Sequence, residues 1–151
     1  MRFQGAIVEA DSILLIRFRD RVTKRSFRLI PGGGIESDET EEECVAHELR
    51  EETNLEVKVE RFLLEQGDPA GFYPRVETYL CRVKSVVPSA GYEPEVDSSA
   101  GDGIIETGWF NLRRPEIRNE EVQNDKITCE MLQYIQRALG YEYSSPAMTP
   151  D

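Results

Sequence analysis

The segment from Thr40 to Asn54 constrains the fold most, because it carries both a start signal and a stop signal for a helix. Thr40 is followed three residues later by Glu43, which is the spacing of a capping box. Asn54 stands where the helix should end, and asparagine commonly replaces glycine in the left-handed capping conformation. Val45 and Leu49 fall on one arc, so we predict that this face packs on a core.

Strand-like runs lie on both sides of this helix. Period-two alternation and turn residues predict strands at 3–9, 12–18, 25–30, 55–65, 75–84 and 104–110. A final helix is predicted near 124–139, ended by Gly140, and the residues after it (141–151) are typical of a loose tail. The order strands, helix, strands, helix predicts a single α/β domain over residues 1–140 with a mixed sheet.

Composition limits the partners of such a domain. The 151 residues carry a formal net charge of -11, which argues against binding to long nucleic acid or to an anionic membrane. No apolar run reaches the length of a membrane span, and the three separated cysteines have no CxxC spacing. We therefore expect reduced thiols and a cytoplasmic location. A basic patch containing Arg17, Arg19 and Arg28 suits a small anionic ligand, and a solvated face explains it equally well.

Three carboxylates share one face of the predicted helix, because Glu48, Glu51 and Glu52 are spaced i, i+3 and i+4. Without a cation the three carboxylates would repel one another and raise one another's pKa values, and a divalent cation removes this repulsion. Hard oxygen ligands select Mg²⁺ or Mn²⁺. The glycine run just upstream, Gly32 to Gly34, lets backbone approach the same place. This combination fits metal-assisted hydrolysis of a phosphoanhydride, although a solvated Glu-rich helix explains the helix alone equally well.

The stretch from Gly33 to Leu55, GGIESDETEEECVAHELREETNL, strongly resembles the Nudix box, G-x5-E-x7-R-E-U-x-E-E-x-G-U with U aliphatic. The matching positions are Gly33, Glu39, Glu48, Leu49, Glu51, Glu52 and Leu55. The resemblance implies the family's α/β/α sandwich over nearly the whole chain. Two positions depart from the pattern: His47 stands where the box has Arg, and Asn54 stands where it has Gly.

The resemblance also implies roles for these positions. It implies that the Gly33 carbonyl completes a site for Mg²⁺ or Mn²⁺ whose main ligands are Glu48, Glu51 and Glu52. Glu39 would hold the helical glutamates in position. In the family, the Arg of the box does the same through a salt bridge. His47 is shorter than Arg and loses its charge near neutral pH, so we expect it to form a weaker pair.

The general base and the substrate contacts are less constrained. The base would be one of the helical glutamates or a carboxylate before Trp109, for which Glu106 is the candidate, with Glu93 and Glu95 behind it. Tyr73, which lies 18 residues beyond Leu55, resembles the Tyr of members that cleave diadenosine polyphosphates. Substrate phosphates are expected to contact the basic strand residues Arg17, Arg19 and Arg28.

Together these features predict a metal-dependent hydrolase of a nucleoside diphosphate linked to another group. A (deoxy)nucleoside triphosphate or a dinucleoside polyphosphate is the favoured substrate, and ADP-ribose or a nucleotide sugar is a further alternative. A non-catalytic Nudix domain that binds a nucleotide as a sensor is the rival hypothesis, in which His47 marks decay of the site. No membrane partner is expected, and the oligomeric state is left open, with a homodimer as one option.

Overall fold

The computed structural model describes residues 1–19, 22–69, 71–85, 103–113 and 126–141. Its elements, in chain order, are β1 (Arg2–Glu9), β2 (Ser12–Arg19), β3 (Ser26–Leu29), β4 (Gly32–Gly34), α1 (Glu41–Thr53), β5 (Glu56–Gln66), β6 (Val76–Ser85), β7 (Gly103–Asn111) and α2 (Lys126–Leu139). The predicted strands and the first helix are present, with ends that differ by about one residue. β4 has no counterpart in the prediction, because three consecutive glycines have low strand propensity.

β1 lies at the centre of the sheet. The seven described strands form one mixed sheet in the order β3–β2–β1–β6–β5, with β4 joined to β1 and β7 joined to β2. β1 and β6 are parallel, and the other pairs are antiparallel. Because β6 occupies one edge of β1, β4 and β2 share the other edge: β4 pairs with its first residues and β2 with its last. The two halves of the sheet therefore separate between β4 and β2.

α1 begins and ends where local chemistry requires. The Thr40 hydroxyl accepts from the Glu43 amide at 3.1 Å, and the Glu43 carboxylate accepts from the Thr40 amide at 3.0 Å. Asn54 adopts the left-handed conformation with φ of 60°, and its amide bonds to the Arg50 carbonyl. Both predicted signals are confirmed, and the helix is thereby held at a defined length beside the sheet.

The two helices cover opposite faces of the sheet. Val45 and Leu49 of α1 pack in a cluster with Phe3 and Ile7, which project from one face of β1. α2 packs on the alternate residues of β1, its contributing side chains being Cys129, Met131, Leu132 and Ile135 and the β1 partners Ala6 and Val8. The predicted α/β/α sandwich with a mixed sheet is therefore confirmed.

The end of α2 is tied to the β1–β2 turn. The Tyr141 hydroxyl donates to Asp11 at 2.6 Å, and Arg113 donates to the same carboxylate at 3.0 Å. Of the predicted tail (141–151), only Tyr141 belongs to the described residues, and it is anchored by this bond. No helix in the described part of the chain is long and apolar enough to span a membrane.

Candidate active site

Two glutamates of α1 lie directly against the backbone of β4. The Glu52 carboxylate accepts a hydrogen bond from the Gly32 amide at 2.7 Å. The Glu48 carboxylate lies beside Gly33, so closely that a Cβ on Gly33 would be 2.7 Å from the Glu48 carboxyl carbon. The glycines of β4 are thus needed for close approach, which brings the backbone and the carboxylates of α1 into one site.

Burial and mutual repulsion make these carboxylates unusual. Burial raises the pKa of Glu52 to about 7, against the opposing effects of Arg2 and of the Gly32 amide. Burial also raises the pKa of Glu48, and the charge of Glu51 adds to this rise. A bound divalent cation would reverse both effects, because it favours the charged form of every carboxylate that it contacts.

His47 joins two other carboxylates of this region. Its Nδ1 lies 3.1 Å from a Glu39 oxygen, and its Nε2 lies 2.7 Å from a Glu51 oxygen. The hydrogen bond to Glu51 is the largest cause of a raised His47 pKa, with the charges of Glu51 and Glu39 acting in the same direction. His47 therefore bonds both to Glu39, which precedes α1, and to Glu51 within α1. An Arg at this position is expected to make a contact of the same kind with the helical glutamates.

The residues fit a hard divalent cation. The half-buried carboxylates of Glu48 and Glu52 and the backbone of Gly33 supply oxygen donors, which Mg²⁺ and Mn²⁺ prefer. Within the described residues, the side-chain donors found within 4.8 Å of one another belong to Glu36, Glu39 and His47. The three helical glutamates instead have separate neighbours. Glu52 accepts from the Gly32 amide, Glu51 is bonded to His47, and Glu48 lies beside Gly33.

A cleft of about 560 Å³ opens beside these carboxylates. It is lined by Arg2, Ile16, Phe18, Leu29, Gly32, Gly33, Glu52, Phe72 and Tyr73. The lining combines the Glu52 carboxylate and the β4 backbone with three aromatic side chains, of which Phe18 and Phe72 meet edge-to-face at 6.1 Å. Asp68 holds the loop that carries Phe72 and Tyr73 by accepting both of their amides. The predicted substrate residue Tyr73 therefore does line the cleft.

Comparison with known families decides the identity of the fold. The family model of the NUDIX domain matches residues 4–131. The chain belongs to the NUDIX family. The NUDIX-box pattern of Gly33 to Leu55, with its departures at His47 and Asn54, lies within the matched residues and runs from β4 through α1.

Named relatives extend this finding. An ADP-ribose pyrophosphatase from Methanocaldococcus jannaschii is 44% identical over 112 residues, which cover 72% of this chain and 59% of that protein. This NUDIX chain thus spans less than two thirds of that relative's length. A solved ADP-ribose pyrophosphatase from Streptococcus suis has a TM-score of 0.59 at 22% identity, covering 95% of this chain and 94% of that one. A solved NUDIX hydrolase from Nitrosomonas europaea has a TM-score of 0.66 at 17% identity, covering 94% and 90%. At these identities the two structures show the fold.

Among the described residues that line the cleft of this NUDIX fold, the basic strand residues Arg17, Arg19 and Arg28 and the candidate base Glu106 are absent, and their proposed roles stay predictions. Arg17 is opposite Arg28 on β3 and opposite Glu106 on β7, so the three side chains share one face. Arg28 donates to Glu106 and lies over the Phe110 ring at 5.0 Å. The cleft is lined by Ile16 and Phe18, which alternate with Arg17 and the exposed Arg19 on β2 and therefore point to the other face. Glu93 and Glu95 lie outside the described residues.

Sequence reasoning missed Arg2. Among the described residues that line the cleft, Arg2 is the cationic one, and its charge acts on both Glu48 and Glu52. The residue lies at the start of β1, far from the NUDIX box in sequence, and belongs to no basic cluster. Only the pairing of β1 with β4 brings it beside the glutamates, so no local signal was available to find it.

Proposed function

We propose that this NUDIX domain hydrolyses the diphosphate bond of a nucleoside diphosphate linked to another group, with ADP-ribose as the first candidate substrate. The observation that carries the proposal is the placing of Glu48 and Glu52 against the backbone of β4, beside a cleft that Glu52 lines together with aromatic side chains. The cleft matches a substrate with a charged diphosphate and a flat base. The name of the Methanocaldococcus relative favours ADP-ribose over the other candidates.

The proposed metal is Mg²⁺ or Mn²⁺, which Glu48, Glu51, Glu52 and the Gly33 carbonyl would hold. When bound, the metal supplies an activated water and neutralises charge on the phosphates. The chain's own residues prepare this site. The Gly32 amide orients Glu52, and His47, itself bonded to Glu39, orients Glu51. Both hydrogen bonds hold in position carboxylates that would otherwise repel one another, and this lowers the free energy needed to bring the metal ligands together.

The aromatic lining of the cleft supports a nucleotide rather than inorganic diphosphate. Phe72 is 52% exposed, so much of its ring is open to a ligand. Its ring lies 6.1 Å from that of Phe18 and 6.0 Å from that of Phe27, so the three rings form one aromatic platform. A base stacked on it would bury this surface, and stacking on an aromatic side chain is worth about 1–3 kcal/mol.

A nucleoside triphosphate or a dinucleoside polyphosphate is the second candidate substrate, because Tyr73, which lies 18 residues beyond Leu55, lines the cleft. A non-catalytic nucleotide sensor is the third hypothesis. Retention of the NUDIX glutamates, each held in place by its own contact, favours catalysis over this hypothesis. A cytoplasmic location and a homodimer stay predictions. The three free, buried cysteines agree with the reduced thiols expected from the sequence.

The test is direct identification of products. The purified chain is incubated with Mg²⁺ or Mn²⁺ and, separately, with ADP-ribose, a dNTP mixture, diadenosine tetraphosphate or a UDP-sugar. Chromatography then measures the nucleotides released. Hydrolysis of the ADP-ribose diphosphate gives AMP and ribose 5-phosphate, and we expect this reaction to have the highest kcat/KM of the panel.

Matched variants connect the activity to the site. Glu52→Gln removes a carboxylate that contacts β4, and Glu130→Gln removes an exposed one from α2. The first variant should be inactive and the second should match wild type. Turnover of no substrate by the wild-type protein, together with tight nucleotide binding, would replace the hydrolase proposal with the sensor hypothesis.

A further inference from the structure

The cleft contains one feature that the NUDIX box does not supply, which is a positive charge. Its walls contain carboxylate, glycine, aliphatic and aromatic groups, and Arg2 is the cation among its described lining residues. A diphosphate entering this cleft meets the Glu52 carboxylate. A metal held by the carboxylates would neutralise part of the diphosphate charge, and a cationic side chain would bind further diphosphate oxygens.

Arg2 is held firmly at this position. Its amide bonds to the Arg75 carbonyl at 3.0 Å, and its backbone pairs with Gly34 on one side and Val76 on the other. Its guanidinium donates to the Ile30 carbonyl at 2.8 Å and to the Gln4 side chain at 3.4 Å. These contacts orient a planar fork of donors at low entropic cost when a ligand arrives.

The charge of Arg2 is not neutralised by these contacts. The Ile30 carbonyl and the Gln4 amide oxygen are both uncharged acceptors. Gln4 is itself buried and donates to the Thr78 hydroxyl at 2.8 Å, which fixes its oxygen toward Arg2. Within the described part of the chain Arg2 forms no ion pair, in contrast to Arg28, which is paired with Glu106. The remaining guanidinium donors are thus available to an anion in the cleft.

We propose that Arg2 is the phosphate-binding residue of this cleft, where its guanidinium contacts the diphosphate of a nucleoside diphosphate substrate beside the α1 glutamates. The inference rests on the proposed function and adds a residue outside the NUDIX box to it. Arg2 replaces the basic strand residues Arg17, Arg19 and Arg28 that the sequence suggested for this role.

A purely structural role for Arg2 makes a different prediction. In that case Arg2 would serve only to hold Glu48 and Glu52 in place by its charge, and removing it would disorder the metal site. Metal affinity would then fall together with activity. If Arg2 binds phosphate, its removal leaves the carboxylates intact and takes away a charge that repels the metal, so metal affinity is unchanged or higher. The two roles therefore differ in the direction of the metal effect.

The experiment compares Arg2→Gln and Arg2→Lys with wild type and with Arg17→Gln. Gln retains a donor for the Ile30 carbonyl, and Lys retains the charge without the planar fork. Arg17 is the matched control, because it is an arginine that is not among the described residues lining the cleft. Mn²⁺ binding is measured by electron paramagnetic resonance without nucleotide, at a pH well above the pKa of Glu52. Thermal unfolding of each variant checks that the fold is retained.

Nucleotide binding and turnover are then measured separately. We expect Arg2→Gln to raise the KM for ADP-ribose by roughly 10–100-fold with a smaller change in kcat, since a hydrogen bond to a charged group contributes about that factor. Arg2→Lys should fall between Arg2→Gln and wild type. Wild type should bind ADP more tightly than adenosine, and in Arg2→Gln this preference should shrink by a similar factor. Mn²⁺ affinity should stay equal or increase.

Three results would overturn the inference: unchanged KM and ADP preference in Arg2→Gln, an equal effect in Arg17→Gln, or a loss of Mn²⁺ affinity that accompanies the rise in KM. The ADP and adenosine measurements need no turnover. A wild-type protein that cleaves no substrate would therefore contradict the proposed function, while the role of Arg2 in binding phosphate would still be decided by equilibrium binding.

Discussion

The three glycines of β4 should respond very differently to the same substitution, although they are consecutive and chemically identical. None of them has a positive φ, so their backbone accepts an alanine without strain, and only the space around each Cβ matters. A Cβ on Gly34 would meet only the Tyr73 hydroxyl, at 3.9 Å, which is an ordinary contact. Gly34→Ala is therefore expected to preserve both stability and activity.

Gly33→Ala should damage the site but spare the fold. The new Cβ would lie 2.7 Å from the Glu48 carboxyl carbon, whereas an ordinary contact is about 3.5 Å, so the carboxylate must retreat by roughly 0.8 Å. The end of a flexible side chain can do this with a change of less than about 1 kcal/mol in the free energy of unfolding. A displacement of this size in a catalytic group can cost about 10²-fold in rate. We therefore expect kcat to fall by about 10–100-fold.

Gly32→Ala should damage the fold. Its Cβ would lie 2.3 Å from the Phe3 carbonyl oxygen and 2.6 Å from the Gln4 Cα. Both are backbone atoms of β1, which cannot rotate away, so β4 must separate from β1. Overpacking of this kind costs about 1–3 kcal/mol. The expected fall in Tm is about 2–4 °C for each kcal/mol in a chain of this size.

The assay measures Tm by circular dichroism, hydrolysis of ADP-ribose at steady state and Mn²⁺ affinity for all three variants. We expect Gly32→Ala to show the largest fall in Tm. Gly33→Ala should show a large fall in kcat with little change in Tm. Equal kcat and Mn²⁺ affinity in Gly33→Ala and Gly34→Ala would refute the close packing of Glu48 on β4. A Gly32→Ala protein that unfolds at the wild-type temperature would refute the close approach of β4 to β1.

Three further predictions concern the charged groups. Glu51→Gln should lower kcat by on the order of 10²-fold in a steady-state assay, because it removes an anionic metal ligand of the proposed site and keeps its shape; wild-type kinetics would show that Glu51 is not a ligand. His47→Arg should raise the metal-free Tm at about pH 9 but not at about pH 5. Because the pKa of His47 is raised, its ion pair with Glu51 is complete at low pH and is lost as pH rises through that pKa, whereas an Arg stays charged. An equal change in Tm at both pH values would contradict the ion pair between His47 and Glu51. Asp11→Asn should lower Tm at neutral pH, since hydrogen bonds from Tyr141 and then Arg113 hold the pKa of Asp11 below its usual value of 3.8. This difference should vanish as pH falls through the lowered pKa, and a difference that persists in acid would mean that charge is not the cause.

Local chemistry explains why α1 and most strands could be predicted. The Thr40 capping box and the Asn54 stop involve residues three to four positions apart, so their partners are present in any short window of sequence. The spacing of Glu48, Glu51 and Glu52 is also local, because the geometry of a helix alone places them on one face. β4 could not be found in this way, because its pairing with β1 depends on close approach and not on strand propensity.

The different environments of the three glutamates were not predictable. Glu52 is half-buried and bonded to the Gly32 amide, whereas Glu51 is exposed and bonded to His47. Sequence spacing treats them as equivalent members of one face. Only the docking of β4 on that face separates them, because it covers Glu48 and Glu52 and leaves Glu51 at the edge.

The sequence by itself determined the family, the helix that carries the carboxylates and the class of metal they suit, since each follows from spacing within 23 residues of the chain. The tertiary structure alone decided which cation faces those carboxylates. Alternation along β2 separates Arg17 from Ile16 and Phe18, but it does not say which of the two faces lines a cleft. That choice depends on β4 and β2 sharing one edge of β1, which leaves a gap between them that both Phe18 and Arg2 line. Contacts between residues so distant in sequence leave no local pattern, and for this reason Arg2 was found only in the folded protein.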